Sequence, residues 1–220
     1  GCESRLQDTK SAIAAVASTN RYNPAAEYLR ALPPWDGTPR AGMLLGEIMR
    51  GDDTPDGLYT TYLRRFMIAA VRRAFEPGVK VDTMLVLQGP QGLRKSQFFA
   101  VLFGAAFVHD TAFDIGNKDA YGQIAHGWLY EWAELSGLTK REIEAVKLFI
   151  ASSKDTYRSP YAHFAVAHLR HTVFGGTTNN PTPLNDPTGA RRFWIIPLLE
   201  RIDLAALATW RDALWAEAVA

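Results

Sequence analysis

The chain has 220 residues, 47% of them hydrophobic, and its 24 lysines and arginines against 23 aspartates and glutamates give a formal net charge of +1. This length suits one substantial core, or one core with a small helical subdomain, and the balanced charge gives no global electrostatic case for nucleic acid binding. Cys2 is the only cysteine and excludes an internal disulfide, which favours a reducing compartment. No apolar run approaches the roughly 18 residues of a membrane span and no signal peptide is recognisable, so we expect a soluble, cytoplasmic protein.

The first part of the chain, residues 1–78, predicts a small helical subdomain. Between residues 24 and 50, short helices are interrupted by the turn-rich segment Pro33–Pro39, because proline and glycine stop helices. From Leu58 to Phe75 apolar side chains recur at helical spacing, which predicts an amphipathic helix that ends before Pro77. Four arginines interleaved on that helix give it a basic side: Arg64, Arg65, Arg72 and Arg73.

Residues 79–220 alternate short apolar runs with helices, the pattern of an α/β unit with a mostly parallel sheet flanked by helices. Thr139 and Glu142 form a capping box that opens a helix running to about Ile150. Asp203 is the expected N-cap of the last helix. The expected strands are Met84–Leu87, Trp128–Tyr130, Thr172–Phe174 and Phe193–Ile196.

The loop after the first expected strand reads Gly89-Pro90-Gln91-Gly92-Leu93-Arg94-Lys95-Ser96. It joins a strand to a helix-compatible run, which is the context that a phosphate-binding P-loop requires. In such a loop, backbone N–H groups and a helix N-terminus face the anion, a lysine neutralises the outer phosphates, and a hydroxyl binds Mg²⁺. Lys95 and Ser96 occupy the lysine and hydroxyl positions, so the loop predicts a nucleotide site of the P-loop NTPase type.

Arg94 stands where the G-x-x-x-x-G-K-[ST] pattern has its second glycine. A glycine there lets the backbone approach phosphate and adopt torsions that a β-carbon makes costly. Gly92 is placed to supply part of the missing freedom, and the Arg94 side chain has the chemistry to donate to a phosphate. The alternative interpretation is a tight strand-to-helix turn with a chance Lys-Ser pair.

Further short phrases accompany this loop in a fixed order, from about residue 23 to residue 197. They are Asn23-Pro24, Tyr28-Leu29, Trp35-Asp36-Gly37, Pro77-Gly78-Val79-Lys80, Glu131, Glu134-Leu135, Asp155, Tyr157-Arg158, Pro160-Tyr161, Gly176-Thr177-Thr178-Asn179, Asp186-Pro187-Thr188-Gly189 and Arg191-Arg192-Phe193-Trp194. Together they resemble the virulence-associated protein E family, P-loop ATPases of phages and mobile elements that are similar to superfamily 3 and AAA+ helicases. The resemblance implies an AAA+/helicase-like ATPase core used in replication of mobile DNA, often with a primase-type region upstream on a longer chain.

The resemblance assigns roles to two carboxylates, Glu131 and Glu134. An apolar strand delivers them beside Mg²⁺ and the attacking water, where a hard cation takes oxygen ligands. Glu131 is implied to bind Mg²⁺ together with Ser96, and Glu134 to polarise the water, although the two roles are interchangeable. The alternative is two solvated carboxylates at a helix start.

The resemblance also implies a sensor and an arginine finger. Asn179, with Asn180 as the fallback, would hydrogen-bond the attacking water or the γ-phosphate; the alternative is an Asn-Pro turn. Arg191 or Arg192 would stabilise the charge of the transition state. In ring ATPases that arginine usually comes from the neighbouring subunit, so hydrolysis would need an oligomer. The alternative for each arginine is an exposed charge or a surface ion pair.

Arg158 and Tyr161, near Lys154 and Asp155, form a basic and aromatic cluster that suits single-stranded DNA or a neighbouring subunit. The arginine pairs of the helix over residues 58–75 offer a second surface, although basic helical faces are usually only solvated. A further cluster lacks the cysteines and spaced acidic partners of a zinc site, and we expect its histidines to be solvated or in the core. Its members are His163, His168, Arg170 and His171.

The sequence therefore predicts Mg²⁺-dependent ATP hydrolysis coupled to DNA handling, in a ring or another homo-oligomer. The alternative is a nucleotide-binding or DNA-binding module that does not hydrolyse ATP, because Arg94 disturbs the loop. A small-molecule kinase ranks last, since the sequence shows neither an arginine-rich lid nor an acceptor pocket.

Overall fold

The computed structural model describes residues 8, 9, 12, 13, 16, 22–111, 115, 121–125, 127–133, 135, 139–158, 164–180 and 190–220. The helices are α1 (Pro24–Arg30), α2 (Arg40–Met43), α3 (Leu58–Phe75), α4 (Lys95–Phe103), α5 (Tyr121–Ile124), α6 (Lys140–Ile150) and α7 (Leu204–Val219). A π-helical turn, Leu44–Ile48, continues α2, and 3₁₀ turns cover Ala105–Phe107 and Ala190–Arg192. The strands are β1 (Met84–Gln88), β2 (Val108–His109), β3 (Leu129–Trp132), β4 (Lys154–Tyr157), β5 (Val166–Leu169), β6 (Val173–Thr178) and β7 (Phe193–Pro197).

Five strands form one sheet in the order β2-β3-β6-β1-β7, and every neighbouring pair in it is parallel. The expected α/β fold with a mostly parallel sheet is therefore confirmed. Because the strands are parallel, their carboxyl ends share one edge, and the segments after β1, β3 and β6 meet there. β4 and β5 form a separate antiparallel hairpin between α6 and β6, which the sequence patterns did not predict.

The sheet is buried on both faces, as parallel sheets are. Leu85 and Leu87 belong to one core, which also contains apolar side chains of α1, α2, α3, α4 and α7. Met84 and Val86 point to the other face and belong to a second core with α6. The helices of the first part of the chain thus pack into the same core as the sheet, and the division at residue 78 stays a prediction.

The helix boundaries follow local capping chemistry. The Asn23 side chain accepts hydrogen bonds from two N–H groups of the first turn of α1, and Asp203 does the same at α7. The capping box of Thr139 and Glu142 is present at the start of α6, with both of its reciprocal hydrogen bonds. The helices over residues 58–75 and from Thr139 to Ile150 are confirmed, as is the last helix after Asp203.

The prediction that Arg73 belongs to a basic side of α3 is wrong, because this arginine is fully buried. Its guanidinium donates to backbone carbonyls at Val79, Val81, Ser152 and Thr172. Burial lowers its pKa to about 10, and the cation is retained because those carbonyls replace water. Arg73 therefore stabilises the junction of α3 with the sheet. Residue type and spacing along a helix do not reveal such a partner set.

Among the described residues, no helix combines the length and the apolar character needed to cross a membrane.

Candidate functional site

The loop after β1 is shaped by glycines in torsions that other residues avoid. Gly89 has a φ of 151° and Gly92 a φ of 91°. A β-carbon on Gly89 would lie 2.6 Å from the backbone oxygen of Leu198, so the close approach of the segment after β7 requires glycine there. The N–H of Gly89 donates to the carbonyl of Thr178, at the end of β6. The loop is thus held between the two strands that flank β1.

Arg94 adopts the conformation that the loop pattern reserves for glycine. Its φ of 66° and ψ of 31° are left-handed, and it is the residue that precedes α4. Only Arg50 and Arg94 among the described non-glycine residues have a positive φ. A left-handed residue with a β-carbon costs about 1–2 kcal/mol. The loop therefore closes in spite of Arg94, at the expense of local backbone strain.

Lys95 is the first residue of α4, and its side chain turns back into the loop. Its ammonium donates to the carbonyls of Gly89 at 2.6 Å and Pro90 at 2.8 Å, and to the Oδ1 atom of Asn179 at 2.8 Å. The residue is only 8% exposed, and burial lowers the pKa of its amine. The predicted lysine and the predicted sensor asparagine are thus in direct contact.

Glu131 lies beside Ser96, as the predicted metal site requires. It is the third residue of β3 and is 3% exposed. Burial raises the pKa of its carboxyl, and the charge of Asp110 adds to this, while hydrogen bonds from Ser96 and Thr177 act in the opposite direction. The Thr177 hydroxyl donates to Glu131 Oε1 at 3.4 Å. Glu134, the second predicted carboxylate, lies outside the described residues.

Lys95, Ser96, Thr177 and Asn179 line an open cavity of about 450 Å³ at the carboxyl edge of the sheet. Most of the lining residues carry polar side chains, and one of them, Arg201, is an arginine that the sequence did not indicate. Arg201 follows β7, whose position next to β1 cannot be read from the order of the chain. The lining residues are Gln91, Gly92, Arg94, Lys95, Ser96, Gln97, Ala133, Thr177, Thr178, Asn179 and Arg201.

Arg191 and Arg192 do not reach this cavity in their own chain. They precede β7, and Phe193 pairs with Met84, the first residue of β1, whereas the loop follows the last residue of β1. The four steps from Met84 to Gln88, at about 3.3 Å each, separate the two ends of β1 by roughly 13 Å. A role for either arginine in hydrolysis would therefore need a second copy of the chain, and it stays a prediction.

The predicted cluster on the hairpin is divided by the fold. Lys154 and Arg158 are exposed, whereas Asp155 is buried in an ion pair with Arg170. The Arg170 guanidinium also lies 4.4 Å from the centre of the Phe149 ring. Tyr161 and His163 lie outside the described residues, and His168 stacks on the Tyr157 ring.

The oxygen donors at the cavity suit a cation whose remaining coordination positions are filled by phosphate oxygens. No group of three or more histidine, cysteine, aspartate or glutamate side chains that could hold a metal occurs in the described part of the chain. One hydroxyl, Ser96, lies near enough to one carboxylate, Glu131, to lower the pKa of that carboxyl. Mg²⁺ takes one or two protein oxygens together with water and substrate phosphates, so these residues fit it.

Comparison with known families identifies the family of the chain. The family model of the virulence-associated protein E-like domain matches residues 29–220. The chain belongs to this family. No curated protein matches it.

Two solved structures share the fold of this virulence-associated protein E-like chain. The A form apo structure of the NrS-1 C-terminal region has a TM-score of 0.62 at 12% identity, over 90% of this chain and 48% of that one. A second A form apo structure of the same region has a TM-score of 0.56 at 13% identity, over 86% of this chain and 46% of that one. The chain therefore spans about half the length of these structures, and at such identity the likeness concerns the fold alone.

Proposed function

We propose that this virulence-associated protein E-like chain is the Mg²⁺-dependent ATPase module of a replication protein of phage or mobile-element type. The module hydrolyses ATP and couples hydrolysis to DNA handling. The observation that carries the proposal is the hydrogen bond of 2.8 Å from the Lys95 ammonium to Asn179 Oδ1 inside the loop. This bond supports a P-loop more strongly than a chance strand-to-helix turn, because it is not needed to close a turn. The effect of Ser96 on the pKa of the buried Glu131 agrees with this.

The loop residues and the start of α4 bind the triphosphate. Their backbone N–H groups and the positive end of the helix face the anion. Lys95 exchanges the carbonyls of Gly89 and Pro90 for phosphate oxygens, and the new hydrogen bonds are stronger because both partners are charged. Burial already disfavours the charged amine, so a phosphate gains more from Lys95 than from a solvated lysine.

Ser96 and Glu131 would hold Mg²⁺, whose charge neutralises phosphate oxygens when it is bound. Glu131 has to be ionised for this role, and burial raises its pKa. Ser96 and Thr177 oppose that shift by hydrogen bonding to the carboxylate. The contact with Ser96 supports Glu131 as the metal ligand, which leaves the polarisation of the attacking water to Glu134.

Asn179 orients the attacking water. Its Oδ1 atom accepts from Lys95, so its amide N–H groups are directed away from the lysine and can donate. The position directly after β6 places Asn179 at the same sheet edge as the loop and β3. In this proposal the attacking water is bound by the amide of Asn179 and polarised by the carboxylate of Glu134.

Assembly and DNA binding belong to the same proposal. Arg191 or Arg192 acts on the nucleotide of a neighbouring subunit, which requires a homo-oligomer such as a ring, because neither reaches the cavity of its own chain. Arg158, exposed at the end of β4, and Tyr161 beyond it contact single-stranded DNA. A primase-type region upstream on a longer chain is part of the same proposal.

The strain at Arg94 favours one alternative, a module that binds nucleotide without turning it over. ATP binding and phosphate release measured separately, with and without single-stranded DNA, distinguish the two functions. Tight binding with no release under either condition supports the alternative. For the ATPase, Lys95→Ala is expected to lower turnover by at least about 100-fold. Lys80→Ala, at a largely exposed lysine that does not line the cavity, is the control and should leave turnover unchanged.

A further inference from the structure

Arg201 lies in a segment whose backbone is hydrogen-bonded to the end of β1 before Arg201 and to the nucleotide loop after it. The N–H of Leu198 donates to the carbonyl of Gln88 at 2.7 Å, and the N–H of Ile202 donates to the carbonyl of Leu93 at 3.3 Å. Leu198 and Ile202 are each 1% exposed, so both anchors are buried in the core. The backbone of Arg201 is therefore fixed relative to the loop, while its side chain remains exposed.

Arg201 lines the cavity, and its guanidinium forms no hydrogen bond or ion pair with any residue in the described part of the chain. Arg94 and Lys95 line the same cavity, and no carboxylate does so among the described residues. The chain as a whole is almost neutral, with a net charge of +1. Three cations at one opening therefore form a local positive site, and a polyanion is the ligand class that such a site recognises.

The sheet order decides which part of a nucleotide Arg201 meets. β6 and β7 lie on opposite sides of β1. Glu131 and Asn179 come from the side of β3 and β6, where Ser96 and Glu131 would hold Mg²⁺ near the outer phosphates. Arg201 comes from the side of β7, so under the proposed function it would meet the phosphates nearer the nucleoside.

We propose that Arg201 binds non-bridging oxygens of the α- or β-phosphate within its own chain. This rests on the proposed function, because it takes the bound polyanion to be a nucleoside triphosphate. The contact is one that ADP and ATP share. Arg201 is therefore a determinant of affinity for both nucleotides, distinct from Arg191 and Arg192, which act on hydrolysis from another subunit.

The test is calorimetric titration of the chain with ADP and with a non-hydrolysable ATP analogue, both with Mg²⁺. Arg201→Ala is expected to raise Kd for both ligands by the same factor, about tenfold, since a charged hydrogen bond is lost at an open site. Arg201→Lys keeps the charge but not the bidentate geometry of a guanidinium, so its Kd values should lie between those of the wild type and of Arg201→Ala. Arg30→Ala, at an exposed arginine of α1 that does not line the cavity, is the matched control and should equal the wild type.

The outcomes separate this inference from the proposed function. An equal loss for both ligands in Arg201→Ala, with saturated turnover within about twofold of the wild type, supports the inference. An unchanged Kd, or a loss confined to the ATP analogue, overturns it while leaving the nucleotide site intact. A wild-type chain that binds neither ligand overturns the proposed function and the inference together. Circular dichroism of each variant verifies that it is folded.

Discussion

Arg94 offers a direct test of the loop conformation. At left-handed torsions a glycine variant is more stable than an alanine variant, which is the reverse of the usual order within a helix. At a φ of 66° and a ψ of 31° a β-carbon costs about 1–2 kcal/mol, which glycine avoids. Glycine loses more entropy on folding, about 0.5–1 kcal/mol relative to alanine, which offsets part of that gain. Both Arg94→Gly and Arg94→Ala remove the same guanidinium. We therefore expect the glycine variant to be the more stable, by about 0.5–1 kcal/mol.

Urea unfolding followed by tryptophan fluorescence measures this difference, since the chain has 6 tryptophans. A difference of about 1 kcal/mol also corresponds to roughly 2–4 °C in Tm for a protein of this size. Arg65 provides the matched control, because it lies exposed in the middle of α3. There Arg65→Gly should be less stable than Arg65→Ala by about 1 kcal/mol. If alanine equals or exceeds glycine at position 94 as well, Arg94 is not left-handed and the strain does not exist.

Three further expectations concern other parts of the site and the core. Burial raises the pKa of Glu131, so its contribution to stability is full below the ordinary glutamate pKa of about 4.3 and is lost as pH rises through the raised value. Glu131→Gln should therefore stabilise the ligand-free chain at pH 7 but not at pH 4 in urea unfolding, and equal effects at both pH values would contradict this. Arg73→Met removes the donor of four carbonyl hydrogen bonds, two of them buried, and should lower the unfolding free energy by about 3 kcal/mol or more. Arg72→Met, at the exposed neighbour, should change it by less than about 0.5 kcal/mol. Arg191→Ala or Arg192→Ala should lower the turnover number without changing Kd for ADP. The turnover per chain of the wild type should rise with protein concentration, because more chains are then assembled. Activity that is unaffected in both variants would refute an arginine acting between subunits.

What the sequence could predict is mostly local. The capping box of Thr139 and Glu142 depends on residues three apart, and the helix over residues 58–75 depends on one repeating period. The four expected strands were found because each is an apolar run bounded by polar residues. The positions of Lys95 and Ser96 relative to Gly89 followed from a motif of eight residues. In each case the information lies within one turn, one helix or one strand.

What the sequence did not show depends on which distant segments become neighbours. β1 lies between β6 and β7, although both follow it by about a hundred residues and four other strands intervene before β6. Arg201 enters the cavity only because of that order, and Arg73 is buried only because β6 begins beside the end of α3. The β4–β5 hairpin was missed for a related reason, because its buried residue Asp155 is charged and is paired with Arg170, which follows β5 directly.

The pairing of Lys95 with Asn179 connects nucleotide binding to the organisation of the water site. The ammonium has three donors, and all three are used within the chain, on Gly89, Pro90 and Asn179. Under the proposed function, a phosphate that takes Lys95 must displace at least one of these acceptors. The acceptors released are the carbonyls of Gly89 and Pro90, and the bond to Asn179 Oδ1 is kept. The same lysine would then neutralise the phosphate and hold the asparagine with its amide N–H groups directed toward the water.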